Sequence, residues 1–137
     1  MNNKYYVCAH CGNTVEMVHD AGVHPVCCGQ KMSELIPGSV EASSEKHVPA
    51  VTVNENILEV NVGSVDHPMA DEHWIEWVQL VTDRSKYRKF LKPGQAPNVK
   101  FHLDGEKPLA VYAYCNLHGL WKTELNEQRG DCHAIYL

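Results

Sequence analysis

Residues 47–65 read HVPAVTVNENILEVNVGSV. HVPAVTV and ILEVNVGSV are short runs rich in β-branched valine and isoleucine, and Asn54-Glu55-Asn56 separates them, so the stretch predicts a β-hairpin. Working outward, WIEWVQLVTD (74–83) reads as a longer strand, followed by KYRKFL (86–91), NVKFHL (98–103), PLAVYAYC (108–115) and LWKTEL (120–125). Pro93-Gly94 and Asp104-Gly105 mark turns between them. About seven short strands with no competing helix-period segment and no internal repeat predict a mainly β domain, a small antiparallel sandwich or barrel, over residues 45–137.

Upstream the character changes. Residues 1–36 carry Cys8, Cys11, Cys27 and Cys28 among glycines and Pro25, with too few large apolar residues for a core. Such a module depends on a metal to fold. Residues 37–44, PGSVEASS, are turn-rich and polar and read as a linker.

The 137 residues hold six cysteines and nine histidines, more soft and borderline metal ligands than packing requires. A net charge of −5 supplies no basic stripe for a phosphate backbone, which argues against nucleic acid as a partner. It also repels an anionic substrate unless a local positive feature dominates. The opening MNNKYYVCAHCGN lacks the pattern of a secretory signal, and no apolar run approaches the roughly 20 residues that span a bilayer. The expectation is a cytoplasmic protein off the membrane, where C-x-x-C spacings read as metal or redox sites rather than disulfides.

Two constellations follow. Cys8-x-x-Cys11, then fifteen residues, then Cys27-Cys28 offers four thiolates to one tetrahedral ion, iron or zinc. Adjacent cysteines cannot both turn to one metal without distorting their loop. A zinc-stapled module without redox chemistry, or a pair of disulfides, stays open at this point. Past the linker, EKHVP (45–49), HPM (67–69), HWIEW (73–77) and CNLHG (115–119) each place a candidate ligand at a strand end or loop. Lone histidines on β surfaces are usually solvated, and chance assembly remains an alternative. Four imidazoles and one thiolate suit a first-row metal with an open position. With a divalent ion the thiolate leaves a local charge of +1, enough to draw an anion despite the acidic whole.

YVCAHCGN with CCGQKM resembles desulforedoxin, and the ordered set EKHVP, HPM, HWIEW and CNLHGLWK resembles the catalytic domain of superoxide reductases. Together they cover nearly the whole chain and resemble the two-iron desulfoferrodoxins. The resemblance implies an immunoglobulin-like sandwich after a desulforedoxin-like domain, and two irons per chain. It implies Cys8, Cys11, Cys27 and Cys28 on the first iron, and on the second the equatorial ligands His47, His67, His73 and His118 with Cys115 axial. The implied activity is one-electron reduction of superoxide to hydrogen peroxide, with rubredoxin or a similar protein as electron donor, in a homodimer.

By the same resemblance Lys46 sits over the open coordination position and Glu45 is the carboxylate that closes onto the iron once product has left. From residue type alone both are commonplace on a surface. Trp74, Trp77 and Trp121 flank ligand segments, and read more simply as core aromatics. Cys132, His10, His19, His24, His102 and His133 receive no role. An electron carrier, a zinc-only structural protein and a superoxide dismutase are the competing readings.

Overall fold

The structure, a computed structural model, describes residues 3–125 and 135–136. The unassigned Cys132 and His133 lie outside the described residues. The chain forms two compact units, Met1–Ile36 and Pro37–Leu137.

The small unit is built from five short strands: β1 (Tyr5–Val7), β2 (Thr14–Glu16), β3 (Val26–Cys27), β4 (Gln30–Lys31) and β5 (Ser33–Glu34). They form a three-stranded sheet ordered β2-β1-β5 and a β3-β4 hairpin. Its core is a cluster of Tyr6, Cys8 and Met32 against which Met17 and Cys27 pack. So small an apolar cluster offsets little of the chain entropy lost on folding.

In the large unit a single helical turn, α1 (Ser44–His47), precedes β6 (Pro49–Asn54) and β7 (Ile57–Val62). Then come β8 (Ile75–Thr82), β9 (Lys86–Phe90), β10 (Asn98–His102), β11 (Pro108–Cys115), β12 (Gly119–Glu124) and β13 (Ile135–Tyr136). Two four-stranded antiparallel sheets, β10-β7-β6-β13 and β12-β11-β8-β9, make the expected sandwich. Strict alternation puts Val51 and Val53 of β6 and Leu58, Val60 and Val62 of β7 inside, facing Ile75, Val78 and Leu80 of β8 and Val111 and Ala113 of β11. The β6-β7 hairpin closes on Glu55-Asn56, with Asn54 opposite Ile57.

The sequence places His47 at the start of a strand, but it ends α1, and β6 begins at Pro49. Proline's missing N–H and fixed φ suit a strand's first residue and disfavour helix just before it. Among the described residues no helix is long and apolar enough to cross a membrane.

Candidate metal centres

In the small unit, Cys8 and Cys11 lie on the β1-β2 loop. Gly12, at φ 83°, reverses the chain there, with its N–H donating to the Cys8 carbonyl at 2.9 Å. The Cys11 N–H donates to Cys8 Sγ and the Asn13 N–H to Cys11 Sγ, each at 3.4 Å. The difficulty of adjacent cysteines is solved by the turn after β3. Cys27 pairs with Gln30, so Cys28 and Gly29 are the two central residues of a hairpin turn, at φ 54° and 73°. Paired positive φ values are the type I′ pattern. They swing the Cys28 side chain to the side that Cys27 faces.

Cys11 and Cys27 sulfurs stand 3.6 Å apart and those of Cys27 and Cys28 3.9 Å, and all four sulfurs lie within 4.8 Å of one another. A disulfide needs about 2.05 Å. All four cysteines are free. Bonds of about 2.3 Å to a tetrahedral ion set sulfurs about 3.8 Å apart, so the cage fits one metal of that kind. Its protons are unevenly held. The Cys11 N–H chiefly lowers the Cys8 thiol to about 6, while sharing protons with Cys11, then Cys8 and Cys27, pushes Cys28 up to about 12. Cys27 and Cys28 are thus held in the thiol form until a cation displaces their protons, whereas Cys8 gives its proton up readily.

In the large unit the ligand candidates converge from four segments. His47 ends α1; His67 lies on the loop after β7; His73 pairs with Ala70 in an isolated bridge ahead of β8. Cys115 ends β11 and His118 lies in the β11-β12 loop. Beside the site the β8-β11 register slips: Tyr114 faces Trp77 but Cys115 faces Ile75, leaving Glu76 as the extra residue. A bulge of this kind re-aims side chains at a sheet end.

The four imidazoles form a closed ring. Neighbouring centroids are 4.6 Å apart for His47 and His67, 4.7 Å for His67 and His73, 5.0 Å for His73 and His118, and 4.9 Å for His118 and His47. Each neighbouring pair is near perpendicular, at 77° to 84°, whereas His47 and His73 across the ring are 6.3 Å apart at 30°. That is a square. His47 Nε2 is 3.1 Å from both His67 Nε2 and His118 Nδ1. Ligand nitrogens at about 2.1 Å from one ion and at right angles lie about 3 Å apart. Cys115 Sγ stands 3.9 Å from His118 Nδ1, and accepts the His118 N–H at 3.4 Å.

Tautomers make the case for a cation. His47 Nδ1 lies 2.6 Å from the Ser43 carbonyl and His67 Nδ1 2.6 Å from the Pro68 carbonyl. A carbonyl only accepts, so both Nδ1 atoms carry the proton and both Nε2 atoms are bare acceptors. Two lone pairs facing each other at 3.1 Å repel unless a cation sits between them. His73 Nε2 is buried without a partner among the described residues. Burial chiefly holds His47, His67 and His73 below the usual histidine range, His67 at about 4, so the rings are neutral ligands. Burial likewise raises the Cys115 thiol, against the His118 and Leu117 N–H groups that lower it. A thiolate there needs a cation beside it.

The family profile described as Desulfoferrodoxin matches residues 39–124, and that of the Desulfoferrodoxin N-terminal domain matches residues 1–35. The chain belongs to the desulfoferrodoxin family. The Desulfoferrodoxin of Nitratidesulfovibrio vulgaris is 49% identical over 126 residues, covering 90% of this chain and 99% of that protein. The crystal structure of the superoxide reductase from Treponema pallidum matches with a TM-score of 0.74 at 35% identity, covering 89% of this chain and 98% of that one. A Superoxide reductase of Thermococcus kodakarensis is 31% identical over 99 residues, covering 59% of this chain and 86% of that protein. Membership in the desulfoferrodoxins, together with the two donor sets, points to two iron centres per chain.

Every ligand candidate on this desulfoferrodoxin chain is thus brought to one of two clusters. Glu45 and Lys46 are exposed on α1, beside the buried His47. The Lys46 charge reaches the ring: after burial and the His118 charge, and against Glu72, it helps lower His73. Trp121 is a site residue, its ring 4.9 Å from that of His47 and its Nε1–H donating to the His118 carbonyl at 3.1 Å. Trp77 instead stacks on Tyr114 under the Arg88 guanidinium.

Residue types alone did not single out Gly63 or Asn116. A Cβ on Gly63 would stand 2.6 Å from the Glu45 carbonyl and 2.9 Å from that of Val48, so only glycine lets α1 pack there. The Val65 N–H, at 2.9 Å, and Ser64 Oγ, at 3.2 Å, then hold the Glu45 carbonyl. Gly63→Ala should displace α1 and lower iron content from about two per chain towards one, leaving the four-cysteine spectrum intact. Elemental analysis with a visible spectrum checks this.

Proposed function

We propose that this chain is a two-iron superoxide reductase, reducing superoxide by one electron to hydrogen peroxide. The observation that carries the reading is the square of four imidazoles, of which burial keeps His47, His67 and His73 neutral, backed by a buried cysteine sulfur. In this reading Cys8, Cys11, Cys27 and Cys28 hold the first iron. His47, His67, His73, His118 and Cys115 would hold the second, the imidazoles and the thiolate together supplying a donor set for a redox-active first-row ion. Ferrous iron bound there supplies the single electron that, with two protons, turns superoxide into hydrogen peroxide.

The chain's own residues set the conditions. Carbonyls of Ser43 and Pro68 fix the tautomers of His47 and His67. Trp121 covers His47 and excludes water from that side. Backbone N–H groups keep the sulfur of Cys115 in place. Lys46 attracts the anionic substrate: at about 6 Å and an effective dielectric of about 20 a unit-charge pair gains roughly 3 kcal/mol, reduced by solvent and salt. Glu45, beside it, is the carboxylate assigned to follow product release.

The working arrangement proposed is an iron-binding module over residues 1–36, a linker at 37–44 and a catalytic sandwich over 45–137. Rubredoxin or a similar small redox protein is the proposed donor, and a cytoplasmic homodimer the proposed form. Pulse radiolysis of the reduced protein tests the activity. Superoxide should decay faster than it self-dismutates, with one peroxide formed per superoxide consumed, where dismutation forms half as many. Decay at the spontaneous rate would reject the enzyme reading. Lys46→Ala should slow association several-fold and flatten its dependence on salt while leaving iron content unchanged. An unchanged rate would remove Lys46 from the reaction.

A further inference from the structure

Asn116 lies between Cys115 and His118 on the β11-β12 loop, and its side chain reaches across to the segment that carries His73. Its Oδ1 accepts the Trp74 N–H at 2.9 Å and its Nδ2 donates to the Glu72 carbonyl at 3.1 Å. Its own N–H donates to the Trp74 carbonyl at 3.2 Å. Three bonds thus bracket His73 from both sides. The two fully buried rings, those of His47 and His67, are fixed through Nδ1 by the Ser43 and Pro68 carbonyls. The half-buried His73 has no such carbonyl partner among the described residues, and its Nε2 is buried without a hydrogen bond. With no carbonyl to orient its ring, His73 is placed through its backbone, on which the Asn116 clasp acts from both sides.

The same clasp bears on the sulfur. Cys115 Sγ accepts the His118 N–H at 3.4 Å across the same short loop in which Asn116 is bonded to residues 72 and 74. We infer that Asn116 is a positioning residue that locks the His73 ligand segment to the hairpin carrying the Cys115 sulfur. One amide therefore sets both the placement of His73 and the N–H bonds to the thiolate. Outer contacts of this kind commonly change metal affinity by about 10- to 100-fold.

The inference rests on the ligand reading proposed above, and the test separates the two. The full iron-loaded chain is compared as wild type, Asn116→Ala and Asn116→Asp. Three quantities are read: the energy of the sulfur-to-iron charge-transfer band after oxidation, ferrous iron retained against a chelator, and the unfolding midpoint of the metal-free chain. Asn116→Ala should shift the band and weaken iron retention at least about tenfold. Asn116→Asp keeps an acceptor for Trp74 but loses the donor to Glu72, and should fall between. The four-cysteine spectrum should stay unchanged in both. A band and retention equal to wild type overturn the inference, as does a lower midpoint with the band unmoved, which marks a merely structural role. A wild-type chain with no such band overturns the ligand reading itself.

Discussion

Cys115→Ser should abolish the sulfur-to-iron charge-transfer band of the oxidised second centre and leave the four-cysteine spectrum untouched. Cys115 is fully buried at the end of β11, and its sulfur is the one that the described residues bring to the imidazole square. Serine's hydroxyl is a poor donor to that band and stays protonated near neutral pH, so the local charge rises as the sulfur's electron donation is lost. A thiolate is the lever that pushes density towards a ligand opposite it. Superoxide reduction should fall by orders of magnitude while the sandwich keeps its unfolding midpoint within a few degrees. Survival of the band would take Cys115 off the iron. The two centres report separately, so one visible spectrum reads both the loss and its control.

The second large effect is expected on removing metal from the small unit. Stripping the four-cysteine site with acid and chelator, then returning to neutral pH under reducing conditions, should unfold residues 1–36 while the sandwich stays folded. The physical reason is the size of the core: Tyr6, Cys8 and Met32 form its buried cluster, and one of the three is itself a ligand candidate. Cys28 also carries a positive φ that a non-glycine residue adopts at some cost, and without a metal little offsets it. Metal binding is worth about 10–16 kcal/mol in comparable small modules, which is then folding free energy. An amide correlation spectrum should show collapsed dispersion for residues 3–36 and unchanged peaks for β6 to β12. Retained dispersion in the small unit would mean that its strands hold together alone. Refolding on adding ferrous iron or zinc would place the stabilisation in the cage rather than in iron chemistry.

Both metal clusters were legible in the sequence because cysteine and histidine are conspicuous and few other roles need them so densely. Strands were legible wherever one face is buried: β6, β7 and β10 alternate cleanly. The helical turn at 44–47 was not, because four residues are too few to show a 3.6 period. The pairing of Cys27 and Cys28 looked like an obstacle until Gly29 proved to share a two-residue turn with Cys28. Gly63 and Asn116 escaped for a different reason. What makes them matter is which backbone lies against them, from residues 45–48 and 72–74, and contacts so far apart in the chain leave no local pattern.

The spacing of the ligands along the chain sets an order of assembly during synthesis. All four cysteines of the first cage lie within the first 28 residues, so that cage is complete as soon as Cys28 leaves the ribosome. The second square pairs His47 with His118, 71 residues further on, and needs both sheets in place. Until Cys115 and His118 have been made, a nascent chain holds His47, His67 and His73 alone. The small unit can therefore take metal co-translationally, whereas the full donor set for the reactive ion comes together only when the sandwich is nearly finished and the walls around it are built.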